Sequence, residues 1–234
     1  MPTKIPLEKK VLSENDQLAA EIRTLLTDRG IRSLNFVSSP GYGKTSLLEH
    51  TIRDLGDEIR LAVIAGDVQT ENDANRLIRA GGDRVLPLTT GGSCHLDARM
   101  ITRVLPDVNL EDLDLLVIEN VGNLVCPSGF DLGEDMKVVL ISTTEGDDKP
   151  LKYPAMFRRS SVMVINKIDL LGMSDFDLDR VKQNALTINA GLEIFAVSCR
   201  TGEGLDEWYA FLRRLVGKEA AVPIDNPQPW MTSS

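Results

Sequence analysis

Between an apolar run, Leu34 to Val37, and an amphipathic stretch that starts at Thr45 stands the segment Ser38-Ser39-Pro40-Gly41-Tyr42-Gly43-Lys44-Thr45. A glycine-rich turn ending in Gly-Lys-Thr, placed where a strand passes into a helix, is a phosphate-binding loop, and few folds can present one. Gly41 and Gly43 let the backbone turn so that successive N–H groups face the phosphates at the positive end of the following helix. Lys44 then bridges the β- and γ-phosphates and Thr45 places its hydroxyl on Mg²⁺, with Ser39, Tyr42 and Ser46 as further loop contacts. The strict pattern opens on glycine; Ser38 stands there instead, which a negative φ tolerates.

Short runs of consecutive apolar residues recur along the chain, from Arg60 to Ala65, Leu113 to Ile118, Lys137 to Ser142, Ser161 to Ile165 and Glu193 to Val197. Such runs are strands buried on both faces. Helix candidates begin at Thr45, Glu71, Leu96, Asp177 and Leu205, so β and α alternate. The fold class is therefore α/β, a mostly parallel P-loop sheet with helices on both faces. Ahead of it Leu18, Ile22, Leu25 and Leu26 recur at helical spacing behind Ser13, a possible cap, and this helix reads as an appendage. The expected organisation is an amino-terminal helical extension over residues 1–30, the P-loop domain over 31–218 and a proline-rich irregular tail over 219–234.

With 234 residues, 42% of them hydrophobic, the chain can bury a substantial core. A formal charge of −9 argues against nucleic acid or an anionic membrane as the main partner, because either would repel the surface on average. No apolar run approaches the roughly 20 residues of a membrane-crossing helix, and Met1-Pro2-Thr3-Lys4 lacks the apolar core of a secretory signal, so a cytoplasmic location is expected. Three cysteines, Cys94, Cys126 and Cys199, suit a reducing compartment better than a disulfide framework.

Asn166-Lys167-Ile168-Asp169 sits where the run ending at Ile165 meets the carboxyl edge of the sheet, the edge at which open α/β folds bind ligands. A carboxylate at Asp169 can accept from both N1–H and the exocyclic N2 amine of guanine; adenine offers no such pair. Lys167 would lie along the base and Asn166 would hold N7 and the neighbouring loop. Ser198-Cys199-Arg200, after the next strand, resembles the segment whose backbone N–H meets guanine O6, with Cys199 read as packing.

Asp67 and Glu119 close two other strands and so reach the same edge, where Mg²⁺ takes one or two carboxylates besides phosphate oxygens. Asp67 either positions the attacking water or caps the following helix. Glu119 stands where aspartate is usual in GTPases, and its extra methylene favours a water-bridged contact. Gly122 would offer its N–H to the γ-phosphate. No glutamine presents itself to orient the attacking water, so intrinsic hydrolysis should be slow.

Together with the phosphate loop and base reader, Gly66 to Ala74, Thr90 to Ala98, Glu119 to Pro127 and Glu145 to Pro154 resemble the HypB family of nickel-delivering GTPases. The likeness spans roughly Leu34 to Leu215, and its Cys-His and Cys-Pro segments are foreign to GTPases in general. It implies GTP/GDP and Mg²⁺ as cofactors, dimerisation with GTP, and help in loading Ni²⁺ into [NiFe]-hydrogenase, with the accessory protein HypA and the hydrogenase large subunit as partners. It also implies a metal site from Cys94, His95 and Cys126; thiolate and imidazole suit Ni²⁺ and Zn²⁺ alike, while either cysteine alone reads equally as a buried apolar residue. With no histidine-rich tract, the chain points to this site rather than to nickel storage. Lys149 and Lys152 meet the nucleotide or a second subunit on this likeness, or else lie in a solvated loop, and His50 reads as a surface residue.

Three other readings compete. A UreG-like urease GTPase would carry Cys-Pro-His where this chain has Cys94-His95. A small-molecule P-loop kinase would draw lid arginines from Arg158 and Arg159, but the base reader argues against it. A scaffold would bind nucleotide and metal without turnover.

Overall fold

The computed structural model describes residues 7–218. Each consecutive apolar run becomes a strand: β1 (Arg32–Ser38), β2 (Leu61–Asp67), β4 (Leu115–Glu119), β5 (Met136–Ser142), β6 (Val162–Asn166) and β7 (Glu193–Ala196). A further strand, β3 (Val85–Thr89), lies between β2 and β4 in the chain. All seven form one sheet in the order β3-β2-β4-β1-β5-β6-β7, with every neighbouring pair parallel. Parallel strands share one carboxyl edge, so Ser38, Asp67, Glu119 and Asn166 all arrive there.

Alternate strand residues feed opposite faces. Leu34, Phe36, Val63, Leu115, Val117, Val138, Leu140, Val162 and Val164 pack with α2 (Lys44–Leu55), α3 (Asn72–Arg79) and α8 (Leu205–Leu215) around the fully buried Trp208. Ala62, Ile64, Leu116 and Ile118 pack on the other face with α1 (Leu7–Asp28) and α4 (Ala98–Val104). On that face Val37, Val139, Ile141, Met163 and Ile165 pack with α6 (Pro154–Arg159) and α7 (Leu178–Ile188). The sequence thus reads correctly as a parallel α/β sheet covered on both faces.

Two expectations about the amino-terminal helix differ, and three elements, β3 and two short helices, are additional. The amino-terminal helix is no appendage: Ala19, Ile22 and Leu26 are buried in the second cluster, and the Asn15 side chain accepts from Ala98 N at 2.9 Å and donates to Asp131 O at 2.8 Å. Ser13 does not cap this helix, which already runs from Leu7. Strand β3 runs through Pro87, which breaks the apolar run Val85 to Leu88; as a half-exposed edge paired only with β2 among the described residues, it tolerates the proline. The short helices α5 (Lys149–Lys152) and α6 each carry proline in their first turn and are too brief to show a period. The expected tail, residues 219–234, lies outside the described residues.

Candidate nucleotide and metal site

The phosphate loop turns on two glycines in the left-handed region, Gly41 at φ 77° and Gly43 at φ 96°. A Cβ on Gly43 would stand 2.2 Å from Asn166 Nδ2, which donates to the Tyr42 carbonyl at 2.9 Å. Only glycine lets the base-reading strand end and the phosphate loop touch this closely. Lys44 is buried, and burial lowers its pKa; its ammonium donates to Ser38 Oγ at 3.1 Å. Ser38 keeps a negative φ, so the departure from glycine introduces no strain and supplies Lys44 with an acceptor.

Thr45 Oγ1 donates to Glu119 Oε1 at 2.7 Å. Glu119 is 1% exposed, and its second oxygen, Oε2, is buried with no hydrogen-bond partner. Burial pushes this carboxyl up to about 7, although the Lys44 ammonium and the Thr45 hydroxyl pull the other way. An unpartnered carboxylate oxygen beside the phosphate loop fits a hard cation. Gly122 abuts the loop itself, since an added Cβ would lie 2.9 to 3.1 Å from Pro40. Asp67 accepts from Val68 N at 2.6 Å and from the Thr70 hydroxyl, and it does not cap α3, whose N-cap position is Glu71.

Glu119 makes the protein's stability depend on pH when nucleotide and divalent cation are withheld. Its folded-state pKa lies above the ordinary 4.5, so its contribution to stability is fully present at low pH and lost as pH rises towards 7. Between about pH 5 and pH 7.5 the wild type should lose about 2 kcal/mol relative to Glu119→Gln, as measured by denaturant unfolding. Superimposable profiles for the two proteins would mean that Glu119 ionises freely in the folded state.

In the base reader, Asn166 Oδ1 accepts from Lys167 N at 2.7 Å and from Cys199 N at 3.2 Å. Lys167 adopts φ 65° and donates from Nζ to Gly41 O at 2.9 Å. Asp169 accepts from the Ser198 hydroxyl at 2.6 Å and lies 3.8 Å from the exposed Arg200 guanidinium. Ser46, Asn166, Lys167, Asp169, Cys199 and Arg200 line a cavity of about 270 Å³. A roomier cavity of about 820 Å³, lined by Ile22, Leu25, Leu105 and Val108, contains none of the site residues. Cys199 packs against the first core cluster, and burial pushes its thiol up to about 11. His50 is not the free surface residue expected: its side chain is 19% exposed, and Nε2 lies 2.7 Å from the Cys199 carbonyl, bracing the loop from α2.

Cys94, His95 and Cys126 come together from two loops on the same edge. The sulfurs of Cys94 and Cys126 are 3.0 Å apart, Cys94 Sγ is 3.7 Å from His95 Nδ1, and the three ligand atoms lie within 4.8 Å of one another. The shared contact with Cys126 raises the Cys94 pKa, and burial lowers that of His95. Two thiols and an imidazole so placed suit a borderline-soft divalent ion, with coordination positions left over. Cys126 begins a 3₁₀ turn, Cys126–Gly129, and Phe130 just beyond it lies against the His95 ring at 4.1 Å between centroids.

Further side chains tie the site together, and Asn123 among them carries no motif of its own. Asn123 donates to the Cys94 carbonyl at 3.3 Å and accepts from Val125 N at 2.8 Å, tying the two cysteine-bearing loops together. Its only signal is its place between Gly122 and Cys126. Lys149 is 13% exposed, pairs with Glu145 at 2.7 Å and lies 5.8 Å over the Tyr42 ring, beside the phosphate loop rather than in solvent. Lys152 is exposed and pairs with Asp148. The Arg159 guanidinium donates to the Ser128 carbonyl beyond Cys126. Among the described residues no helix is long and apolar enough to cross a membrane.

Residues 33–196 match the family model described as CobW/HypB/UreG, nucleotide-binding domain. The hydrogenase maturation factor HypB of Rhizobium leguminosarum bv. viciae is 51% identical over 216 residues, covering 92% of this chain and 72% of the relative. The crystal structure of HypB from Archaeoglobus fulgidus superposes with a TM-score of 0.81 at 41% identity, covering 87% of this chain and 99% of that one. HypB from Helicobacter pylori, crystallised in complex with nickel, superposes at 0.80 with 39% identity, covering 89% and 99%.

Proposed function

Because this chain belongs to the HypB family of hydrogenase maturation factors, we propose that it is a slow Mg²⁺-dependent GTPase that hands nickel to a [NiFe]-hydrogenase. The observation that carries the reading is the placement of Cys126 in the segment that begins at Gly122, against Pro40 of the phosphate loop, with its sulfur 3.0 Å from that of Cys94.

Backbone N–H groups from Gly41 to Thr45 and the Lys44 ammonium hold the phosphates, and Asp169 selects guanine through two charge-assisted hydrogen bonds. Thr45 and Glu119, with Asp67 nearby on the same edge, would hold Mg²⁺, which supplies charge neutralisation at the β- and γ-phosphates. Asp67 positions the water that attacks the γ-phosphorus, yielding GDP and phosphate, and Gly122 follows the presence of the γ-phosphate through its N–H. Motion of Gly122 carries the segment to Cys126 with it, so nickel held by Cys94, His95 and Cys126 is bound and released with nucleotide state. Zn²⁺ suits the same ligands. A GTP-promoted homodimer would complete a coordination shell that three side chains leave open, and HypA and the hydrogenase large subunit would be the donor and acceptor of nickel, in the cytoplasm.

GTP turnover and metal titration test this together. Purified protein should hydrolyse GTP slowly with Mg²⁺, and Lys44→Ala should lower kcat/KM by about 10²-fold or more. Ni²⁺ and Zn²⁺ affinity should differ between the GDP and non-hydrolysable GTP states, with oligomer mass rising in the latter. Equal turnover by wild type and Lys44→Ala would leave a nucleotide-binding scaffold.

A further inference from the structure

A chain of buried polar side chains joins the strand end that carries Glu119 to both halves of the Cys/His cluster. Asn35, Asn120, Lys137 and Glu134 are 0%, 1%, 6% and 8% exposed. Asn120 Oδ1 accepts from Val121 N at 2.9 Å and from Leu96 N, the residue after His95, at 3.1 Å. Its Nδ2 donates to Asn35 Oδ1 at 3.2 Å, and Asn35 Nδ2 donates to Glu134 Oε1 at 3.1 Å. Glu134 lies 3.4 Å from Lys137 Nζ, and that ammonium donates to the carbonyls of Pro127 at 3.3 Å and Phe130 at 3.0 Å.

Burying a charged pair and two amides is costly unless every group is satisfied, and apolar side chains of the same volume would serve a core at least as well. What this chain achieves instead is geometric. One end grips the backbone directly after Cys94-His95; the other grips the turn that starts with Cys126 and the carbonyl of Phe130, whose ring lies against His95. The oxygen of Asn120 is shared by Leu96 and Val121, so one side chain ties the backbone next to Gly122 to the Cys94-His95 loop.

We propose that Asn120, Asn35, Glu134 and Lys137 are positioning residues that set the geometry of the metal site and transmit to it the state of the β4 end. The proposal rests on the nickel-GTPase reading above. Groups behind metal ligands commonly govern affinity by about 10- to 100-fold, and coupling between sites commonly amounts to about 5- to 150-fold.

The test titrates Ni²⁺ alone into the full-length protein loaded with GDP or non-hydrolysable GTP, following thiolate-to-nickel absorption, with GDP affinity and unfolding measured alongside. The Glu134→Gln/Lys137→Met pair is neutral and close in shape, so it should fold and bind GDP within about twofold of wild type, while losing about tenfold in Ni²⁺ affinity with an altered absorption band. Asn120→Ala should bring the ratio of Ni²⁺ affinities in the two nucleotide states close to one. If Asn120→Ala fails to fold, the double variant decides. Wild-type Ni²⁺ affinity, absorption and ratio in the folded variants would overturn the positioning role and leave the nickel-GTPase reading intact. A wild-type ratio of one, or no Ni²⁺ binding by the wild type, would overturn both.

Discussion

Asp169→Asn should raise the Kd for GDP about 10²-fold or more while leaving the fold in place. Asp169 is aimed into the cavity behind the phosphate loop, and a carboxylate there can accept two guanine donors at once. Each charge-assisted bond contributes roughly 1.5 to 3 kcal/mol, and the variant keeps one acceptor but turns an N–H donor towards the second guanine donor. The amide oxygen can still accept from the Ser198 hydroxyl, now at 2.6 Å from the carboxylate, so the loop Ser198 to Arg200 should hold. Xanthosine diphosphate, with a carbonyl where guanine has its amine, should regain affinity in the variant. Competition binding of GDP, xanthosine diphosphate and ADP checks this; a GDP Kd unchanged within about threefold would remove Asp169 from base recognition.

Cys94→Ala should lower Ni²⁺ affinity on the order of 10²-fold and abolish most thiolate-to-nickel absorption, because a site with three side-chain ligands cannot spare one of its two thiolates. Cys94 is exposed, so little packing is lost and unfolding should barely change. Nucleotide binding measured in the same preparation separates the effect from misfolding. Stoichiometric, undiminished nickel binding in Cys94→Ala would place the metal elsewhere in the chain.

These predictions differ in how visible their premises are in the sequence. The phosphate loop and base reader lie in short contiguous segments, each at the end of a strand that announces itself by being apolar on consecutive residues. Strand β3 and helices α5 and α6 do not announce themselves: Pro87 interrupts the apolar run Val85 to Leu88, and a helix of one or two turns has no period to detect. The length of α1 was likewise hidden, since its first turn precedes Ser13 and its burial depends on α4, far along the chain.

By itself the sequence determined the class of fold, the edge on which ligands gather, and the residue types that meet there. Those follow from local chemistry: buried strands need apolar runs, a phosphate loop needs its glycines, and guanine needs a carboxylate. Only the tertiary structure decided what each side chain faces. It left Glu119 Oε2 buried without a partner, set Lys149 over Tyr42, turned His50 onto the Cys199 carbonyl, and brought Cys94 to 3.0 Å from Cys126. It also assembled Asn35, Asn120, Glu134 and Lys137 into one hydrogen-bonded chain. Burial and distance between residues remote in the chain are set by the packing of the whole sheet and its helices, and no local pattern encodes them.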